Sequence, residues 1–408
     1  MGSYQIAKLS NGLRIIHQYT PNKVAYYGLI IGVGSRDERT DEHGLAHFLE
    51  HVFFKGTQRR NATQILRRMD EVGGDLNAYT TKEETCVYST FLAKDYPRAI
   101  ELLADLICNS TFPERELERE KQVVIDEIYS YMDNPSEAIL DDFEETIFRG
   151  YPIGRKILGS AESVKGLTRS DILSFIERNY TADRMVLSSV GNIRFEKLVT
   201  LAEKFFNGVS SEASPIKRIA PINYEPIQVY NPEDLAQCYY MTGNRAFNQK
   251  EHERVALSLL VEMLGGNSMG SRLNLRLREK NGLVYEIESN YTPYSDSGVF
   301  SVYFACDSHN LERCIRLCHE EMSKLSEKSL TPLKLERFKA QYKAQMAIAS
   351  ENYEGSMLSI GKSLLVYDKV DELDRIYEKI DALTPDDLRN AAEKIFDPKK
   401  LSSVTYGV

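Results

Sequence analysis

His47, Glu50 and His51 stand in the order His-x-x-Glu-His within the segment LAHFLEHVFF. On a helix turning about 100° per residue, Leu45, Phe48, Leu49, Val52 and Phe53 gather on one broad side. His47, Glu50, His51 and Phe54 gather on the other. Imidazoles at i and i+4 sit one turn apart on a common face and can both reach a cation about 2 Å away. Zinc suits such donors, because it accepts nitrogen and oxygen ligands tetrahedrally and a catalytic site leaves one position for water. A carboxylate beside that water, outside the ligand set, can take its proton during attack on a carbonyl and deliver it to the departing amine. Glu50 occupies that position in the spacing. With 7 histidines and 60 acidic residues in 408, chance would place such a motif in roughly two per cent of chains. The plainer alternative is a solvated helix face of three polar side chains.

A third ligand has to come from elsewhere. The segment Glu114 to Met132 reads as a helix whose apolar stripe runs Leu117, Val124, Ile128 and Tyr131. Glu120 and Glu127, seven residues apart, fall on that stripe, whereas Glu118, Arg119 and Gln122 lie off it. A buried carboxylate is costly unless a cation or hydrogen bonds compensate it. A metal with its ligand shell would compensate these two, and so would arginines; the residues alone leave both open.

Around these helices the patterning alternates between strand and helix. Ile6 to Ile16, turning at Asn11-Gly12, predicts a hairpin, and Val24 to Val33 a strand. Helical periodicity covers Gly44 to Phe54 and Ala62 to Val72, a strand pair spans Asp75 to Leu92, and helices run over Pro97 to Leu106 and Glu114 to Met132. The proline- and serine-bearing stretch between Phe206 and Pro226 predicts a linker. Beyond it the order repeats: a strand from Gln228 to Met241, helices from His252 to Leu264 and Met269 to Glu279, strands between Leu283 and Cys306, and a helix from Asn310 to Leu325. Where the first half carries LAHFLEHVFF the second carries ALSLLVEMLGG, without histidine, so one half alone is expected to hold a metal. The run Leu264-Gly265-Gly266-Asn267-Ser268 lacks the lysine of a phosphate loop and predicts a helix end.

Composition narrows the function classes. The chain has 42% hydrophobic and 27% charged residues, the profile of a folded globular protein. A net charge of −9, spread along the length, offers no basic stripe for nucleic acid. The apolar runs are strand-length, short of the roughly 20 residues of a membrane span. The first residues, MGSYQIAKLSNGL, carry no export or lipidation signal. Six cysteines at 86, 108, 238, 306, 314 and 318 form no CxxC pair, which predicts free thiols in a reducing, cytoplasmic setting. Cys314, Cys318 and His319 share a helical pattern with Leu311, Ile315 and Met322 and are expected in a core.

These segments together resemble the pitrilysin family of zinc metallopeptidases, in its mitochondrial-processing-peptidase-like branch, over essentially the whole chain. GSRDERTDEHGLAHFLEHVFFKGT is similar to the family signature with its inverted HxxEH at His47, Glu50 and His51, and EREKQVVIDEIYSYMDNP to its distal-ligand helix. YPIGRKILG and NYTADRMVLSSVGNI are similar to further family stretches. The resemblance implies one Zn²⁺ per chain on His47, His51 and Glu127, with Glu120 in support; ligand type also permits Mn²⁺ or Co²⁺. GGDLNAYTT resembles the family's edge strand, whose backbone around Asn77 and Ala78 would pair with an extended peptide. LREKNGLVYEI implies that Arg278 and Tyr285 contact the substrate carbonyl. From their own patterns, these two would be a solvated helix end and a packed strand residue.

The expected fold is α+β, a pitrilysin/LuxS-like metallohydrolase fold of two related domains, each a mainly antiparallel sheet with helices packed on one side. The expected division is 1–210 for the metal-binding domain, 211–226 for the linker and 227–408 for the domain without the motif. The implied function is a zinc endopeptidase acting on short or unfolded polypeptides. Because one chain carries both the metal motif and the Arg/Tyr pair, a homodimer with composite active sites is expected. The rival is a non-catalytic binding or assembly subunit of the same fold. Relatives of that kind usually lack part of the motif, whereas His47, Glu50, His51, Glu127, Arg278 and Tyr285 all match here.

Overall fold

The computed structural model describes residues 4–211, 217–266 and 268–407, so residues 212–216 of the expected linker and Asn267 of the glycine run lie outside the described residues. The first sheet contains β1 (Gln5–Lys8), β2 (Arg14–Tyr19), β3 (Val24–Ile31), β4 (Asp75–Thr80), β5 (Thr85–Leu92) and β6 (Met185–Gly191), in the order β1-β2-β6-β3-β5-β4. Every neighbouring pair is antiparallel except β2 with β6. Asn11 and Gly12 close β1 onto β2, with the Gly12 amide donating to the Leu9 carbonyl. The second sheet contains β7 (Gln228–Asn231), β8 (Cys238–Arg245), β9 (Val284–Pro293), β10 (Gly298–Cys306) and β11 (Ser402–Tyr406), in the order β7-β11-β8-β10-β9. Here only β7 and β11 are parallel. β4 and β9 are therefore edge strands.

Alternation along the strands sorts side chains between two faces. On the first sheet, Ile15 and Leu187 join a core with Leu45, Phe48, Leu49 and Val52 of the histidine-bearing helix Leu45–Val52. Their neighbours Ile16, Val186 and Val190 point the other way and meet Met357, Ile360 and Leu364 of the helix Tyr353–Tyr367. The second sheet follows the same rule. Tyr240 and Phe304 pack with Leu257 and Leu260 of the helix Arg254–Gly265. Met241, Tyr303 and Val404 pack with Ile139, Phe143 and Ile147 of the helix Pro135–Ile147. The expected helical layer is present on each sheet, and one further helix covers part of the opposite face.

These additional helices come from distant parts of the chain. One compact unit comprises residues 1–129, 155–218 and 348–372; the other comprises 130–154, 219–347 and 373–408. The change of unit at Arg218–Ile219 falls inside the expected linker, but each unit also takes a segment from the other half of the sequence. In the second unit that segment is tied down by named contacts. Arg245 lies over the rings of Phe148, Tyr151 and Tyr224 and donates to the Ile147 carbonyl, while Tyr294 and Tyr406 donate to Glu144 and Asp142.

Two elements differ from their patterns. Gln228 to Met241 is broken into β7 and β8, because Pro232 has no amide to donate to a ladder and Glu233-Asp234 follows it. The expected helix Met269 to Glu279 is a π-helical turn over Asn274–Glu279, where the Lys280 amide reaches back five residues to the Leu275 carbonyl.

Candidate metal centre

Four features set the helix Leu45–Val52 in place. Leu45, Phe48, Leu49 and Val52 are fully buried, which fixes the rotation that turns His47, Glu50 and His51 outward from the core. At its start, the Glu38 carboxylate accepts hydrogen bonds from the Gly44 and Ala46 amides at 3.0 and 2.8 Å, satisfying donors the helix cannot pair itself. Gly44 has φ +88°, and a Cβ there would stand 2.7 Å from the Leu158 carbonyl oxygen. Gly159 faces it, so two residues without side chains let the segment YPIGRKILG abut the helix start.

The opposing helix, Glu114–Met132, buries Leu117, Val124, Ile125 and Ile128 and turns Glu120 and Glu127 toward the two histidines. Glu127 Oε1 lies 3.8 Å from His47 Nε2, and its Oε2 lies 3.3 Å from His51 Nε2. The imidazole centroids are 4.7 Å apart. One ligand atom each from His47, His51 and Glu127 fall within 4.8 Å of one another. His51 Nδ1 pairs with Glu120 Oε1 at 3.1 Å, and Glu120 Oε2 pairs with Lys55 Nζ at 2.7 Å. A carboxylate on Nδ1 holds the proton there and leaves the Nε2 lone pair for a metal. The compensation of both acids thus comes from imidazoles and Lys55, not from arginine.

Electrostatics follow the same geometry. Burial, and then the neighbouring His51, lower the His47 pKa, so this ring is neutral and able to ligate. Burial also disfavours charge on His51, but the hydrogen bonds and charges of Glu120 and Glu127 outweigh it and raise the ring to about 9. Glu127 is held below the usual carboxylate range by its hydrogen bond to His51. Without a cation, then, His51 carries the proton that a metal would displace. His47 Nδ1 is buried with no hydrogen-bond partner among the described residues. Two imidazole nitrogens and one carboxylate oxygen, with a carboxylate behind one ring, are the donor set of a catalytic zinc site with one open position. The residues fit the metal.

Glu50 lies outside that set. Its Oε2 accepts a hydrogen bond from Thr80 Oγ1 at 2.6 Å. Burial raises its pKa, with the Thr80 hydrogen bond opposing. Thr80 ends β4, the edge strand that contains Asn77 and Ala78, whose ladder partners are Tyr88 and Val87 of β5. Among the described residues, the outer edge of β4 has no strand beside it in the sheet. Arg278 and Tyr285 belong to the second unit, Arg278 on the π-helical turn and Tyr285 at the start of β9. Both are exposed, and neither side chain has an ion pair or hydrogen bond among the described residues. Sequence reasoning missed Lys55 and Thr80. Lys55 stands four residues after His51, yet no periodicity marks it, and Thr80 approaches Glu50 only through the sheet register.

A helix with inverted paired histidines, facing a second helix that donates a carboxylate, defines the inverted-motif class of zinc-peptidase sites. Residues 14–161 match the profile described as insulinase, peptidase family M16, and residues 166–342 match that of the peptidase M16 inactive domain. An uncharacterized zinc protease of Rickettsia felis is 34% identical over 404 residues, 98% of this chain and 97% of the relative. One from Mycobacterium tuberculosis is 33% identical over 95% of this chain and 89% of its own, and one from Bacillus subtilis is 30% identical over 95% and 94%. Two crystal structures share the fold. A peptidase M16 inactive domain from Pseudomonas fluorescens superposes with TM-score 0.91 at 18% identity, covering 99% of this chain and 97% of the other. A protease from Helicobacter pylori superposes with TM-score 0.90 at 22%, covering 100% and 99%. The chain belongs to peptidase family M16, the pitrilysin family that its motifs resemble.

Proposed function

We propose that this protein is a zinc-dependent endopeptidase that hydrolyses short or unfolded polypeptides, with one zinc per chain on His47, His51 and Glu127 and with Glu50 as general base. The observation that carries this reading is the convergence of those three donors while Glu50, on the same helix face, stays outside the set and is held by a residue of an open strand edge. When bound, zinc would acidify water and polarise a peptide carbonyl. Glu50 takes the proton released as water attacks, and passes it to the leaving amine. Its half-buried position favours this, since burial brings its affinity for a proton closer to what the transfer needs. Glu120 holds His51 in the ligating tautomer and is itself held by Lys55.

The backbone of β4 around Asn77 and Ala78 would bind the substrate as an added strand, which selects extended segments over folded ones. Arg278 and Tyr285 would supply donors to the developing oxyanion, from the second unit of a partner copy in a homodimer. Six free cysteines, with Cys86, Cys238, Cys306, Cys314 and Cys318 buried, fit a reducing, cytoplasmic compartment.

Cleavage of a quenched fluorescent peptide library tests this function. Activity should disappear with chelator, return with zinc and be absent in Glu50→Gln. Silence from a chain that holds one zinc would overturn the peptidase reading in favour of a binding subunit.

A further inference from the structure

The strand edge and the general base share one side chain. We propose that Thr80 is a positioning residue for the reaction: its hydroxyl locks the Glu50 carboxylate into one orientation and relays the arrangement of β4 to it. The inference rests on the reading of Glu50 as the base. Thr80 Oγ1 donates to Glu50 Oε2 at 2.6 Å and lies 3.5 Å from the Ala46 carbonyl oxygen. Glu50 therefore has one oxygen engaged by the protein and the other available to a reacting water. A carboxylate without such a partner turns about its terminal bond over a broad range, and the near-attack geometry of a base is sensitive to that freedom.

Thr80 is itself held firmly. It pairs with Thr85 across the β4–β5 ladder. The next amide, that of Thr81, donates to the Glu84 carbonyl at 2.8 Å. The carbonyls of Thr81 and Lys82 accept from the Ser35 and Arg36 amides at 3.1 and 2.9 Å. The hydroxyl thus approaches Glu50 from a fixed strand end, the kind of rigid support that a catalytic group requires. It also has two acceptors within reach. While Glu50 is a carboxylate, the hydroxyl donates to it. When Glu50 has accepted a proton from water on its other oxygen, Oε2 becomes the carbonyl oxygen of the acid and still accepts from the hydroxyl. Thr80 keeps its proton throughout, so the proton taken from water remains on Glu50 for the leaving amine.

The test compares Thr80→Val, which keeps the β-branched shape, with Thr80→Ser, which keeps the hydroxyl. For Thr80→Val, kcat should fall by about 10- to 100-fold, KM should stay within about twofold, and zinc content and thermal unfolding, with and without chelator, should match the parent. Thr80→Ser should recover most of kcat. A Val variant with parental kcat, a Ser variant as impaired as Val, or zinc loss in Val would overturn the proposal. Glu50→Gln alone reports on the base: if it cleaves like the parent, the underlying reading fails, whatever Thr80 does.

Discussion

Glu120 shows how far the chemistry of this site extends beyond the atoms that would touch a metal. Its two oxygens are divided between His51 Nδ1 and Lys55 Nζ, so the ring is oriented by a carboxylate that is itself pinned. Replacing it by Gln keeps an acceptor for His51 but removes the charge that strengthens the ring as a ligand. Glu120→Gln should weaken zinc binding by about 10- to 100-fold in a competition titration against a chromophoric chelator; unchanged affinity would mean that the contact is incidental. The inward placement of Glu120 and Glu127 was legible in the sequence as two acids on an apolar helix stripe, but that pattern left their partner open between a metal shell and arginines. Lys55 and Thr80 were not legible, since each gains its role from where a neighbouring element comes to rest.

At the scale of elements, β6 shows what periodicity can and cannot reveal. Every residue from Met185 to Gly191 is buried, and the successive apolar residues Met185, Val186 and Leu187 fall on both faces, as in a sheet covered on both sides. The pattern does not say what covers the second face. That role falls to Tyr353–Tyr367, more than 160 residues later, and its seat depends on a glycine. A Cβ on Gly361 would stand 2.4 Å from Ile30 Cδ1 and 2.7 Å from Ser188 Cβ. In a helix interior alanine is favoured over glycine by about 1 kcal/mol, whereas overpacking costs about 1–3 kcal/mol. The steric effect should prevail because the Ser188 contact is close to the strand backbone. Gly361→Ala is expected to lower the urea midpoint; a raised midpoint would show that the helix lifts away without penalty.

For the whole molecule, sequence order gave two halves of similar pattern, and the structure keeps that order while exchanging residues 130–154 and 348–372 between the units. Such exchange is invisible to pattern matching, because the apolar residues of a helix show that it packs on a sheet but not which sheet receives it. Assembly is the other whole-molecule question. If Arg278 and Tyr285 act on the metal site of a partner copy, two inactive variants should complement each other. A Glu50→Gln chain mixed with an Arg278→Ala chain, after subunit exchange, would form one intact site in each mixed dimer. Random pairing should then restore about one quarter of parental activity. No recovery from mixed dimers verified by mass would place both motifs of each site within one chain.

Zinc content and peptide cleavage measured together on the parent chain, Glu50→Gln and Glu127→Gln separate the roles of ligand and base. The metal centre described here predicts one zinc per chain with cleavage in the parent, one zinc without cleavage in Glu50→Gln, and loss of both in Glu127→Gln. Full zinc occupancy and parental cleavage in Glu127→Gln would contradict it.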